Sequence, residues 1–325
     1  MLSCRLIQIC IDMAFKNRIY PVLFLATFFF FSFRLNAQNK HVLEGRWDLE
    51  LEFEGKTEPS WLEIRHSGHE TFIGRFVFAF GSARPIAEVH IHDNTFNFEI
   101  PRQWEDKGGN MVFIGKLKED KISGILKFTD GRMLEWSGVR APRLAYSNTV
   151  AWGKTINLFN KSNLDGWEAD AENQWMVKDG LLISPKSGAN LISTQKFTDF
   201  KLHAEFKYPK GSNSGIYLRG RYEVQIADNK GLEPSDIYFG GIYGFLEPNE
   251  NAAKNHGEWQ TYDITLIGNR VTVVANGKTI ISDRTIPGIT GGAIDSKEGT
   301  PGAFMLQGDH GPITFRKFEV TPSKN

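Results

Sequence analysis

SNSGIYLRGRYEVQIAD, residues 212–228, changes chemistry at every second position. From Tyr217 onward the large polar residues are Tyr217, Arg219, Arg221, Glu223 and Gln225. Between them stand Leu218, Tyr222, Val224 and Ile226, with Gly220 the exception. A period of two is that of a β-strand, whose side chains alternate between faces. The spacing therefore predicts one strand with an apolar face and a face bearing two guanidinium groups, a carboxylate, an amide and a phenol. A half-solvated strand shows the same alternation, so a solvated face and a functional face both stand open at this point.

The period of two extends through the rest of the chain. From about 40 to 140 short runs such as RWDLELEF, TFIGRFVFAF, TFNFEI and KISGILKF are punctuated by Gly, Asn, Asp and Pro. This spacing predicts a small β-sandwich or barrel over 38–143, and GRW at 45–47 is similar to the opening of lipocalin-like barrels. His90 and His92 share a strand face, but two ligands do not make a zinc site. RAPRLAYSNTVAWGK (140–154) has no period, and a linker is placed at 144–153. Strand patterns resume over 154–322, with hairpin signals at Gly268-Asn269 and Asn276-Gly277. No helix-period segment exceeds about two turns. The fold class expected is all-β, in two domains.

Residues 1–37 are expected to stand apart. An uncharged run, IYPVLFLATFFFFSF, lies between Arg18 and Arg34, follows Arg5 and Lys16, and leads to Ala37. That is the layout of a secretory signal peptide, and the run is short for a membrane-spanning anchor. No stable membrane anchor is therefore expected, and the mature protein is placed in the periplasm or outside the cell. The 38 basic and 38 acidic residues balance. Removing the leader takes four basic residues and one acid, which leaves a small acidic excess. A nucleic-acid binder would carry the opposite excess. Both cysteines, Cys4 and Cys10, lie in the leader, so the mature chain has no thiol nucleophile.

Residues of about 153–320 resemble the 3-keto-disaccharide hydrolase domain family, which has a concanavalin A-like jelly-roll fold. The resemblance is carried by LFNKSNLDGW (158–167), WMVKDGLL (175–182), LISTQKFTDFKLHAEFK (191–207), the opening stretch, GGIYGFLEPNENAAKNHGEWQTYDITLIGNRVTVVANG (240–277) and MLQGDHGPITFRKFEV (305–320). It departs from the family at 160–163, where Asn-Lys-Ser-Asn replaces the usual Gly-Lys pair. It departs again at Gly308, which separates Gln307 from Asp309 and His310. The resemblance implies cleavage of the glycosidic bond of sugars oxidised to a ketone at C3.

On that footing the polar row becomes one wall of a sugar groove on a curved sheet. Glu205, Glu223 and His310 are the candidate acids and bases. Asn213, Ser214, Tyr217, Arg219, Arg221, Gln225, Tyr243, Asn251, Trp259 and Gln307 are the candidate substrate contacts. Glu205 reaches the row if its strand pairs across the turn at Lys210–Asn213. A C3 ketone acidifies the C2 proton, so a base near C2 and an acid near the leaving oxygen allow elimination, followed by addition of water. A divalent metal on Glu223, Glu205, Asp309 or His310 is the alternative way to polarise the ketone. Hydrolysis by two carboxylates would need Glu205 and Glu223 at roughly 5 Å or about 6.5–9.5 Å from each other. A non-catalytic lectin on the same fold is the second reading, since fold does not fix function. Two Arg and a Glu in one row favour chemistry, and Gln225 in place of an acid disfavours an ordinary β-glucanase.

Overall fold

The computed structural model describes residues 41–103, 105 and 107–324, and the expected leader lies outside them. The described chain is all-β. Nine strands form the first sheet: β1 (Gly45–Phe53), β2 (Lys56–Ser67), β3 (Thr71–Val77), β4 (Arg84–Ile86), β5 (His90–His92), β6 (Thr95–Ile100), β7 (Met111–Lys118), β8 (Lys121–Lys127) and β9 (Met133–Arg140). Each pairs antiparallel with its chain neighbour except across the β4–β5 gap, and β9 closes onto β1. The gap is bridged where the Val89 N–H donates to the Phe72 carbonyl at 2.7 Å. The result is a nearly closed up-and-down barrel. Its interior packs Trp47, Leu49, Phe76, Phe96, Phe98, Phe113 and Trp136, and each such side chain contributes roughly 2–3 kcal/mol by leaving water. His90 and His92 lie on the edge strand with exposed side chains.

Thirteen strands follow: β10 (Ile156–Asn157), β11 (Trp167–Ala169), β12 (Met176–Lys178), β13 (Leu181–Ser184), β14 (Leu191–Phe197), β15 (Phe200–Lys207), β16 (Asn213–Leu218), β17 (Tyr222–Ala227), β18 (Gln260–Ile267), β19 (Arg270–Ala275), β20 (Lys278–Thr285), β21 (Gly302–Leu306) and β22 (Ile313–Pro322). They make an eight-stranded sheet, ordered β12-β13-β22-β15-β18-β19-β20 with β10 beside β22, and a five-stranded sheet, ordered β11-β14-β21-β16-β17. Between these sheets lies a core that includes Phe206, Val224, Tyr262 and Phe315. This is a jelly-roll sandwich. Trp167 and Trp175 are both buried. Two-residue turns at Gly268-Asn269 and Asn276-Gly277 join β18 to β19 and β19 to β20, as the β-branched flanks and positive-φ residues require.

The barrel and the sandwich share buried surface. Trp61 of β2 stands edge-on to Phe245 at 5.3 Å between ring centroids, and Trp61 and Val77 belong to the sandwich core cluster. Arg46 of β1 donates to the Pro287 carbonyl at 2.8 Å. Asp48 of β1 meets Glu298 of the loop before β21, and both are buried. Burial and the neighbouring Glu298 push the Asp48 carboxyl far up, and burial pushes the Glu298 carboxyl up as well.

Candidate active site

The opening stretch is a hairpin and not one strand. β16 and β17 are joined by a tight turn in which Arg219 and Gly220 both take positive φ, and the Arg221 N–H donates to the Leu218 carbonyl at 3.1 Å. Tyr217 faces Glu223 directly and Gly215 faces Gln225. Ile216, Leu218, Tyr222, Val224 and Ile226 point into the core. Asn213, Tyr217, Glu223 and Gln225 therefore share the outer face of the five-stranded sheet, where they line a cleft of about 330 Å³. Tyr243, Gln307, Asp309 and His310 line the same cleft. Gly308 leaves this placement intact: its N–H donates to Asn190 Oδ1 at 2.9 Å, which fixes the segment that carries Asp309 and His310.

Glu223 sits on the floor of the cleft and is only 3% exposed. The absence of a side chain at Gly215 makes room for it, since a Cβ there would lie 2.3 Å from Glu223 Oε1. Burial raises its carboxyl pKa to about 8, against the hydrogen bond from Tyr217 and the nearby His310. Tyr217 Oη lies 2.9 Å from Glu223 Oε2 and 2.9 Å from the Gly291 carbonyl. One phenol has one proton. With Glu223 protonated, the carboxyl donates to Tyr217 and Tyr217 donates to Gly291, so all three groups are satisfied. Burial, and then the adjacent Glu223, hold the Tyr217 phenol well above its ordinary value, so it stays neutral.

His310 Nδ1 lies 2.5 Å from Asp309 Oδ1. That hydrogen bond raises the imidazole pKa, burial opposes it, and the charge of Asp309 adds to the rise, joined by that of Glu223 only once Glu223 ionises. Gln225 donates through Nε2 to Asn213 Oδ1 at 2.9 Å. The side-chain oxygens of Gln225 and Gln307 are buried without a protein partner. Unpartnered buried acceptors are costly, and two of them lining one cleft suit a ligand rich in hydroxyl groups.

Six expected site residues lie elsewhere. Glu205 is on β15, which pairs with β18 and β22 and not with β16. Its neighbours Ala204 and Phe206 enter the core, so Glu205 faces outward on the opposite sheet. There it accepts from His203 and Arg316, and those bonds hold its carboxyl below the usual range although partial burial opposes them. It therefore forms neither a two-carboxylate pair nor a metal set with Glu223. Trp259 lies on that same face, with Arg316 at 4.3 Å and Lys207 at 4.9 Å from its ring centroid. Arg219 donates to the Gly268 carbonyl and Tyr222 Oη. Arg221 is tied to Asp295 at 2.6 Å and to Thr300. Both guanidinium groups brace the hairpin turn and neither lines the cleft. Ser214 points to the core side and donates to the Gln307 carbonyl at 2.8 Å. Asn251 caps its own loop through Asn229, Leu232 and Ala253. Among the described residues no three His, Cys, Asp or Glu side chains converge as a metal-ligand group.

Asn190, Met305 and the Gly291-Gly292 segment complete the cleft, and no local pattern marks them. Phe80 and Gly81 also line it, and they come from the barrel.

Residues 154–321 match the family model described as a 3-keto-alpha-glucoside-1,2-lyase-like domain. A curated relative named 3-keto-disaccharide hydrolase, from Bacteroides thetaiotaomicron, is 30% identical over 95 residues, which is 24% of this chain. The match spans about a third (32%) of that relative's length. A solved structure described as a putative glycosyl hydrolase from Parabacteroides distasonis is 28% identical and aligns with 55% of this chain and 93% of its own, with a TM-score of 0.43. SCLam, described as a non-specific endo-beta-1,3(4)-glucanase from family GH16, is 10% identical, with coverages of 56% and 95% and a TM-score of 0.37.

Proposed function

The chain belongs to the 3-keto-alpha-glucoside-1,2-lyase-like domain family, and from that premise we propose that it is a carbohydrate-active enzyme cleaving the glycosidic bond of 3-keto-glycosides. One observation carries this reading: a buried carboxyl of pKa about 8, Glu223, shares a polar cleft with an Asp309–His310 pair. At neutral pH the carboxyl holds its proton. The imidazole is oriented by Asp309 through Nδ1, and in its neutral form Nε2 is free to act as the base. An acid and a base in one cleft are what elimination next to a ketone needs.

His310 Nε2 takes the C2 proton, and the C–H electron pair becomes the enolate of the C3 ketone. That pair then forms the C1=C2 bond as the C1–O bond breaks. The leaving oxygen takes the proton of Glu223. The products are a free alcohol and a C1=C2 unsaturated 3-keto sugar, and addition of water to the latter gives the hydrolysis product. The amides of Gln225 and Gln307 hold the sugar hydroxyls, and Tyr217 keeps Glu223 in place. With residues 1–37 as a leader the enzyme acts outside the cytoplasm, which N-terminal sequencing of the purified mature protein tests.

The activity test offers the purified protein a glucoside and its 3-keto counterpart, each with and without a chelator. Release of the alcohol from the keto form alone supports the proposal, and an enone absorbance in the product identifies elimination. Loss of turnover with the chelator would add a divalent cation to the reaction. Sugar binding without release from either substrate would make the cleft a lectin surface and refute the enzyme.

A further inference from the structure

Phe80 is a large apolar residue, yet it is 43% exposed and stands at the cleft that contains Glu223 and His310. It comes from the β3–β4 loop of the barrel and not from the jelly roll. Behind it the ring is held edge-on by Phe78 at 4.8 Å and by Phe53 at 5.9 Å, so it projects from the barrel core as a fixed platform. Its loop is pinned to the sandwich. The Gly292 N–H donates to the Ala79 carbonyl at 2.7 Å. Gly291 lies so close to Gly81 that a Cβ would fall 2.2 Å from the Gly81 carbonyl oxygen. The same Gly291 carbonyl lies 2.9 Å from Tyr217 Oη. The barrel thus supports the segment that anchors the Tyr217–Glu223 contact, and it adds the apolar wall of the cleft.

We infer that the barrel is part of the active site and that Phe80 sets leaving-group specificity by stacking against a flat apolar face. The inference rests on the glycosidic cleavage proposed above. A cleft of about 330 Å³ is at the low end for ligand sites. Asn213 and Gln225 of the hairpin, with Gln307 held beside β16 through the Gly215 carbonyl, suit the hydroxyl-rich keto sugar. The substrate beyond the scissile oxygen then passes Phe80. A bare benzyl ring offers no hydrogen bond and prefers a stacked face, such as that of a second pyranose ring or an aryl aglycone.

The test compares wild type with Phe80→Ala on three 3-keto-glucosides, whose leaving groups are methanol, a second glucose and a nitrophenol. Loss of one stacking contact lowers kcat/KM about tenfold for the substrates with a ring in the leaving group, mostly through KM, and leaves the methyl glycoside within about twofold. Loss confined to the disaccharide or to the aryl substrate identifies which face Phe80 reads. Phe80→Trp keeps the preference, which separates stacking from a packing defect. Equal losses on all three substrates, or none, overturn the inference while the proposed reaction stands. If wild type cleaves none of the three, the proposed reaction fails and the inference falls with it.

Discussion

Replacing Tyr217 by Phe removes one oxygen atom from a buried chain of three groups, and the effect on Glu223 can be worked out from the structure. The phenol lies 2.9 Å from both the Glu223 carboxyl and the Gly291 carbonyl. When Glu223 is ionised, Tyr217 donates to a charge, and a bond of that kind contributes about 1.5–3 kcal/mol. When Glu223 is protonated, the bond is between neutral groups and contributes about 1 kcal/mol. Removal therefore costs the ionised form more, by roughly 0.5–2 kcal/mol. At about 1.4 kcal/mol per pH unit, the Glu223 pKa rises by roughly half to one and a half units from its value of about 8. Solvent does not blunt the change, because Glu223 is 3% exposed. The assay is kcat/KM against pH on a 3-keto-glucoside, which reports the free enzyme. Wild type should lose activity as pH climbs through about 8, where Glu223 gives up the proton that the leaving oxygen needs. Tyr217→Phe should carry that limb upward. A limb that stays in place or moves down would refute the assignment of Glu223 as the acid.

Other perturbations follow from the same geometry. Glu223→Gln lowers kcat by about 10²–10⁴-fold, and thermal melts show a second effect. The folded-state pKa of Glu223 is raised, so the folded protein holds a proton that the unfolded chain releases above its ordinary 4.5. Wild-type stability therefore falls as pH rises from about 4.5 to about 8, by about 1.4 kcal/mol per pH unit for this one proton. The Gln variant lacks that part of the slope. Asp48→Asn acts likewise at the barrel–sandwich contact, where the raised carboxyl must eventually ionise beside Glu298: its melting temperature exceeds wild type in alkali and not in mild acid. Gly215→Ala drives a methyl group onto the Glu223 carboxylate. It costs about 1–3 kcal/mol of stability and about 100-fold in kcat, with the unfolding midpoint and initial rates as readouts. Glu205→Gln, on the far face, changes kcat/KM by less than about twofold, although it breaks the contacts with His203 and Arg316.

The opening stretch shows how far a period of two can be read. Alternation correctly sorts Tyr217, Glu223 and Gln225 to one face, because the hairpin pairing preserves face identity across the turn. It fails at Arg219 and Arg221, because the turn falls between them. A turn breaks the alternation, and its side chains are free to seek partners behind the sheet, which here are Gly268, Asp295 and Thr300. The signal was present in Arg219-Gly220, since Gly readily takes the positive φ of a tight hairpin. Glu205 fails for a different reason. Consecutive strands usually pair, but in a jelly roll the chain crosses between sheets, and the segment 208–212 carries it from one sheet to the other. Nothing local in HAEFKYPKGSNSG separates a hairpin from a crossing. Phe80 carries no local mark of its role. Phe76, Phe78 and Phe80 alternate as one apolar face, and the first two are buried. The third leaves the barrel core only because β3 ends at Val77 and the loop docks on Gly291 and Gly292. The cleft is thus assembled from a legible hairpin, a half-legible C-terminal segment around His310, and a barrel loop whose role depends on contact with residues more than two hundred positions away. An isolated jelly roll would keep Glu223 and His310 and lose both the Phe80 wall and the support of Gly291. Sequence periodicity reports what each strand does to its own sheet, and this site depends on what one module does to another.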